Sequence, residues 1–595
     1  MSSTLYHSNV ITKHWQIAEP IPPEVGAEFA ELDPVLLQLL WNRGLRTQEQ
    51  IDEFLNPDWS QDVHDPYLFR DMAKAVARVY EAIGATEVIG VFGDYDADGV
   101  TASVIITSTL KKLGAKVETY LPHREREGYG LNEEAIRYLK EKGVSLVLTC
   151  DCGITNVKQV AYANELGLNV IITDHHQTQP ELPLAFAIIH PGLPGETYPF
   201  KFLSGGGVAF KLVQGLMRYE GCQLAPPERE AHQKWLLDLV AISTVADMVP
   251  LQGESRTLVK YGLTVLRKTR RLGLRKLIEV ASLRAENIDT YTIGFQLAPR
   301  INAAGRMDHA NAAYALLMSE EETEAAEMAQ ALQLANGERQ RVTEEMYQTA
   351  RAQIGEVSAQ TYLVQVFNPT WSLGLVGLVA GKLVQEYNRP ALVMCQVGDK
   401  VAGSGRSGVA DFDLSQALTS CRTYLSSWGG HKEAAGFSLP KANLENFISA
   451  FTLITAQALT QVDLTPKLQV DLAVALEQVD WGLQQQVARL EPVGQANPPA
   501  RLVSYHLTVA ALQPVGSQGQ HLRLTLVNDD DERRFIWFRQ TAYGPPPIVG
   551  EQVDVVYEVG VNEWNGNREL ELKVVDLIKS NSKSPAKNGV NKSGG

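Results

Sequence analysis

Val88-Ile89-Gly90-Val91-Phe92-Gly93-Asp94-Tyr95-Asp96-Ala97-Asp98-Gly99 is the stretch that decides the fold. Its first half is a short apolar run with the character of a buried strand, and its second half breaks into alternating acids. Val100-Thr101-Ala102-Ser103 then opens a helical pattern. Three acids in five residues repel one another unless cations screen them. An extended segment would place Asp94, Asp96 and Asp98 on one side, as a shared site for hard cations requires. An EF-hand also begins Asp-x-Asp-x-Asp-Gly, but its twelfth position falls on Ile105 where a bidentate Glu is needed, and a strand rather than a helix precedes the loop.

Downstream, strand-like runs recur at 117–121, 146–148, 170–172 and 187–189, and the segments between the first four are long enough for crossover helices. This pattern predicts a parallel α/β sheet. The third run ends in Thr149-Cys150-Asp151-Cys152-Gly153 and the fourth in Thr173-Asp174-His175-His176. Ligands gather beyond the carboxyl ends of parallel strands, so acids and imidazoles from three strands are expected to converge on one crevice. Asp247, after a largely apolar helical run, is a plausible further ligand. Carboxylates with one or two imidazoles and no thiolate suit manganese or magnesium, and two hard cations suit phosphodiester hydrolysis.

Farther out, helical segments are expected at 234–245 and 258–266, and a charged, proline-free stretch at 320–354 reads as one long helix. A second α/β unit follows, with apolar runs at 362–367 and 391–395 and Gly-rich turns at 403–407 and 429–436. From about 466 to 578, short alternating runs predict a small β-barrel. The tail 580–595 is mostly Ser, Asn, Lys and Gly and is expected to be disordered.

A chain of 595 residues can bury several cores. No run of about 20 apolar residues is present and the start lacks a signal-peptide core, so no membrane role and a cytoplasmic location are expected. Five scattered cysteines argue for a reducing compartment, with Cys150 and Cys152 structural. A net charge of −15 lowers the expectation of a nucleic-acid partner without excluding a local basic channel. The basic run Arg267, Lys268, Arg270, Arg271, Arg275 and Lys276 reads first as a solvated helix face.

The ordered motifs resemble those of the RecJ family within the DHH phosphoesterase superfamily. They are 94–99 (Asp-Tyr-Asp-Ala-Asp-Gly), 127–132 (Glu-Gly-Tyr-Gly-Leu-Asn), 151–156, 174–176 (Asp-His-His), 246–251, 299–306 (Pro-Arg-Ile-Asn-Ala-Ala-Gly-Arg) and 429–437. The resemblance implies an α/β architecture: a parallel-sheet DHH domain and a smaller α/β DHHA1 domain joined by a long helix, with a C-terminal β-barrel of the OB-fold type. The implied layout is an N-terminal helical segment 1–75, the DHH metal-binding catalytic domain 76–318, the connecting helix 319–355, DHHA1 356–462, OB-fold 463–579 and the tail 580–595.

The same resemblance implies two Mn2+ or Mg2+ ions held by Asp94, Asp96, Asp98, Asp151, His175 and Asp247, with Asp151 bridging. Asp151, His175 and His176 are the implied catalytic residues, His176 facing the scissile phosphate. Arg300, Asn302, Arg306, Ser404, Arg406, Ser407 and His431 are the implied substrate contacts, with 403–407 acting as an anion nest. Trp537, Phe538 and Trp564 are candidates either for base stacking or for barrel core. Two departures from the family pattern stand out: Ala496 where Gly is usual, and Gly408-Val409-Ala410 after the Arg-Ser pair.

The implied activity is 5′-to-3′ hydrolysis of single-stranded DNA to 5′-mononucleotides in repair and recombination. Single-strand-binding protein and a RecQ-type helicase are the implied protein partners. A short-oligonucleotide or nucleotide phosphodiesterase of the same superfamily is the nearer alternative, and a non-catalytic replication scaffold the more distant one.

Overall fold

The computed structural model describes residues 13–529, 531–540, 544–564 and 566–580. The expected tail therefore lies outside the described residues apart from Ser580. The chain divides into two compact units: Pro57–Leu464, and the described residues before 57 together with those from 465 onward.

In the first unit the decisive strand is Val88–Gly93, flanked in a five-stranded, all-parallel sheet by Lys116–Tyr120 and Val144–Cys150. Asn169–Thr173 and Ala187–Ile189 complete the order beyond Val144–Cys150. The central strands are apolar almost without alternation because helices cover both faces. Ala97–Lys112, Glu133–Glu141 and Val157–Glu165 make the crossovers. Helices Gly205–Arg218, Pro226–Ala246 and Gly253–Leu266 then pack into the same core.

The long helix is Glu322–Ile354, followed by a mixed five-stranded sheet. Val364–Phe367 pairs parallel with Ala391–Val397, and Lys400–Arg406, Ala434–Pro440 and Ser427–Gly430 follow antiparallel. The expected turn at 403–407 is instead a central strand. Glycine serves packing there: a Cβ on Gly403 would lie 2.7 Å from the Phe437 ring, and one on Gly405 would lie 2.9 Å from Leu414. The 429–436 stretch does hold a reversal, with His431-Lys432-Glu433 joining its two strands.

The second unit holds five barrel strands: Leu502–Val515, His521–Asn528, Asp531–Trp537, Asn567–Lys579 and Gln552–Trp564. Pairing of Leu502–Val515 with Gln552–Trp564 closes the barrel. The N-terminal strand His14–Ile17 adds in parallel to Lys467–Val470, far away in sequence. Arg43 secures the preceding helices, donating to Asn497 Oδ1 (2.7 Å) and the Pro498 carbonyl (2.6 Å). Trp537 is buried in the barrel core, Phe538 is exposed, and the Trp564 side chain lies outside the described residues.

Candidate metal centre

The acids after Val88–Gly93 do not alternate along an extended segment, as the sequence suggested. Asp96 instead caps the helix Ala97–Lys112, accepting from the amides of Asp98 (3.0 Å) and Gly99 (3.1 Å). A cap is the lower-energy use of an Asp at a strand-to-helix junction, because it satisfies otherwise orphaned amides. Asp98 consequently sits in the first helical turn. Its carboxylate accepts from the amides of Gly205 (2.7 Å) and Gly206 (2.8 Å) and from Ser243 Oγ (2.5 Å). An acid is thereby fixed at the N-terminus of helix Gly205–Arg218, where the helix dipole favours negative charge.

Asp151 follows its strand with φ +63°, a left-handed conformation that Asp tolerates better than most residues. It lies so close to Gly205 that a Cβ there would come within 2.5 Å of its side chain. Asp174 ends the next strand and accepts from the amides of Ile154 (2.9 Å), His175 (2.7 Å) and His176 (3.1 Å) and from His176 Nδ1 (2.8 Å). Asp247 caps the C-terminus of Pro226–Ala246.

These elements bring all six expected ligands together. His175 Nε2 lies 3.1 Å from Asp151 Oδ1, 3.4 Å from Asp247 Oδ2 and 3.7 Å from Asp98 Oδ2. Three ligand groups form among the described residues: Asp98, His175 and Asp247; Asp94, Asp96 and Asp151; and Asp151, His175 and His176. Asp151 is common to two of them. Asp94 Oδ1, Asp151 Oδ1 and His175 Nε2 are buried without a hydrogen-bond partner. Buried polar atoms are rarely left so, and two at 3.1 Å have about the spacing of neighbouring ligands on an octahedral ion. The residues fit divalent cations.

The electrostatics agree. Burial first, and neighbouring aspartates second, push the carboxyls of Asp94 and Asp151 well above the usual range and that of Asp98 up to about 6. Such a cluster holds protons until cations replace them. Burial and the charge of His176 push His175 down to about 3, which keeps its imidazole neutral and able to ligate. His176 shows the opposite balance. Burial would lower it, but the hydrogen bond and charge of Asp174 prevail and raise it to about 9. Cys150 and Cys152 are buried and not among the ligand groups found.

The expected substrate contacts do not all gather at one place: Arg306, Arg406 and Ser404 lie near one another, and the others have separate partners. Asn302 Oδ1 accepts from the Ala97 amide (2.8 Å), so this side chain steadies the acid loop. Arg300 donates to Gln333 Oε1 (2.7 Å) and the Gln296 carbonyl (2.6 Å). Arg306 donates to the Gly374 carbonyl (3.0 Å), and Arg406 to Ser404 Oγ and the Gly405 carbonyl, both at 2.8 Å. The amides of 403–406 lie in a strand paired on both sides, so no anion nest forms, and the side chains Ser404 and Arg406 are what this strand can offer. Ser407 is buried and accepts from the Val409 amide. His431 Nδ1 is 3.2 Å from Gln177 Oε1, in the segment that follows the paired histidines.

Sequence reasoning missed several supports. Asp174, Gly205, Gly206 and Ser243 fix ligands, and Ser204-Gly205-Gly206-Gly207 at the head of an apolar helix was a readable anion-site signal. Arg124 and Arg339 join Arg306 and Arg406 in a cluster of guanidiniums, which no local motif announces. The basic run at 267–276 is structural: Arg267 and Arg271 donate to the carbonyls of Ile288 and Leu317, Arg270 lies over Trp235, and Lys276 pairs with Glu322.

Residues 88–244 match the DHH family, N-terminal domain, residues 359–457 the DHHA1 domain and residues 470–576 the RecJ OB domain. The single-stranded-DNA-specific exonuclease RecJ of Bacillus subtilis (strain 168) is 38% identical over 570 residues, covering 95% of this chain and 71% of the relative. RecJ of Thermus thermophilus in complex with Mn2+ superposes with a TM-score of 0.79 at 30% identity, over 96% of this chain and 80% of that one. The same protein in complex with Mg2+ gives 0.74 at 28% identity, over 96% and 79%.

Proposed function

The chain belongs to the RecJ family of single-stranded-DNA-specific exonucleases, and we propose that its acid and histidine cluster is the hydrolytic centre through which it degrades single-stranded DNA from the 5′ end to 5′-mononucleotides. The observation that carries this reading is the set of buried, unpartnered atoms Asp94 Oδ1, Asp151 Oδ1 and His175 Nε2, with Asp151 sharing one ligand group with Asp94 and another with His175. The protein is a metal-dependent hydrolase, and its cofactor is Mn2+ or Mg2+.

Asp98, Asp247 and His175 would hold one ion and Asp94 and Asp96 the other, with Asp151 shared between them. When bound, two such cations lower the pKa of an attacking water and offset charge on the attacking and leaving oxygens. The chain supplies the rest. His176 is held at Nδ1 by Asp174, whose hydrogen bond and charge favour its protonated form, so that Nε2–H would donate to a phosphoryl or leaving oxygen. Arg306, Arg406 and Ser404 bind the phosphate backbone of the strand, and His431 fixes its position near the paired histidines. The barrel belongs to a fold class that binds single strands by stacking and positive charge.

A role in DNA repair and recombination in the cytoplasm, beside single-strand-binding protein and a RecQ-type helicase, fits this activity. No helix among the described residues is long and apolar enough to cross a membrane. The test is digestion of single strands labelled at either end, with duplex and RNA as competitors, with and without Mn2+. Early release of the 5′ label as mononucleotide supports the reading. Hydrolysis confined to dinucleotides would select the short-oligonucleotide phosphodiesterase, and Mn2+-independent binding without hydrolysis would select the scaffold.

A further inference from the structure

We propose that Tyr291 and Phe295 form a stacking platform for bases of the strand a few nucleotides beyond the scissile phosphate. The inference rests on the nuclease reading above. The two rings are 62% and 68% exposed, yet they are not scattered: their centroids lie 4.7 Å apart at an interplanar angle of 28°. Lone exposed aromatics are ordinary on protein surfaces, whereas a preformed exposed stack offers a flat apolar face.

The location gives the stack its occupant. Tyr291 and Phe295 belong to a continuous helical run that passes through a π-turn, Ile293–Leu297, into the helix Ala298–Met307. Asn302 and Arg306 are four residues apart in that helix, the spacing that keeps side chains on one face, and Phe295 precedes Asn302 by seven residues, with the π-turn between. Ile293, Leu297, Ala298 and Ile301 occupy the other, buried face. Asn302 is bonded to the Ala97 amide of the acid loop, so the helix that carries the rings reaches the metal centre.

A second link comes from the opposite side. A Cβ on Gly294 would stand 3.8 Å from Val245, in the helix whose end carries Asp247. The residue after that ligand, Met248, is itself 66% exposed. At about 1.5 Å per residue, Phe295 lies about 10 Å along the helix from Asn302. Stacked nucleotides rise about 3.4 Å each, so this length of helix spans about three bases. π-turns recur at functional sites, and here the extra residue interrupts the regular helix where the two rings turn outward.

The test uses the full-length protein, Tyr291→Ala/Phe295→Ala, and the conservative Phe295→Trp. Oligo(dT) of twelve nucleotides is compared with the dinucleotide for kcat and KM in Mn2+. The ratio of KM between dinucleotide and twelve-mer should shift about tenfold against the long strand in the double alanine variant, with kcat on the twelve-mer retained. Phe295→Trp should restore it. Without metal, 2-aminopurine at the third or fourth nucleotide should be quenched by the wild-type protein and by Phe295→Trp but not by the double variant. An unchanged KM ratio and unchanged quenching in a variant of normal thermal stability would overturn the platform while leaving the nuclease reading intact. Failure of the wild-type protein to cleave any strand would instead remove the nuclease reading.

Discussion

His176 Nδ1 lies 2.8 Å from Asp174 Oδ1, and that buried carboxylate also receives the amides of Ile154, His175 and His176. Burial alone would raise the Asp174 pKa, but the hydrogen bond and charge of His176 overcome it and hold the carboxyl below its usual range. Asp174 is therefore a positioning residue that aims both histidines. Asp174→Asn presents an amide hydrogen to at least one N–H that now meets oxygen. Turnover should fall about 10- to 100-fold, as for other residues that orient ligands. The His176 imidazolium should also titrate at lower pH than in the wild type, read by NMR, because its anionic partner is gone.

Asp151→Asn separates charge from shape. Asn keeps the left-handed backbone at φ +63° that Ala would strain, so the loop survives. In the metal-free protein Asp151 must either carry charge among other buried acids or hold a proton against its ordinary pKa, and Asn does neither, so the melting temperature should rise. The melting gain on adding Mn2+ should shrink, and turnover should fall by roughly a thousandfold, the equivalent of several kcal/mol of charge stabilisation. Thermal melts with and without Mn2+ check both signs. A destabilised metal-free variant would contradict the repulsion argument.

The ligands are legible in the sequence because each of the strand-end acids and histidines follows a short apolar run, and a strand end is a local feature. What supports them is less so. Asp96 reads as one of three alternating acids only when strand periodicity is carried past Gly93, into a helix cap. Gly403 and Gly405 read as turn residues because nothing nearby in sequence announces that Phe437 and Leu414 will press on them. The pairing of His14–Ile17 with Lys467–Val470 joins segments about 450 residues apart, beyond any periodicity argument. By contrast, the family's Gly at 496 has a physical reason: Ala496 occupies φ +59°, where a Cβ is strained.

His232 gives a pH dependence away from the metal centre. Burial, with Lys112 and Arg271 nearby, pushes its imidazole down to about 4, and its Nε2 lies 2.9 Å from Thr109 Oγ1. The unfolded chain binds this proton at about 6.5, so between the two values the unfolded state holds more protons and stability rises with pH. The contribution is present in full above the unfolded value and is lost as pH falls toward 4. Between pH 7 and 5 it amounts to about 2 kcal/mol. Urea unfolding of His232→Gln should show a correspondingly shallower loss across this window than the wild type.

Arg306 supplies the last prediction. It is half-buried, with Arg124, Arg339 and Arg406 near enough for their charges, after burial itself, to lower its pKa, and Asp96 is the acid that opposes them. Guanidiniums so placed repel one another unless an anion joins them, so the cluster is destabilising in the free protein and favourable around a phosphate. Arg306→Gln should therefore leave the DNA-free protein at least as stable, although one hydrogen bond to the Gly374 carbonyl is weakened. Single-strand affinity should drop, and the slope of log affinity against log salt should become shallower by about 0.7, the value for one phosphate contact on a single strand. Arg306→Lys should keep the slope while losing part of the affinity, because the charge remains and the planar fork does not. An unchanged slope in Arg306→Gln would mean that this guanidinium meets no phosphate.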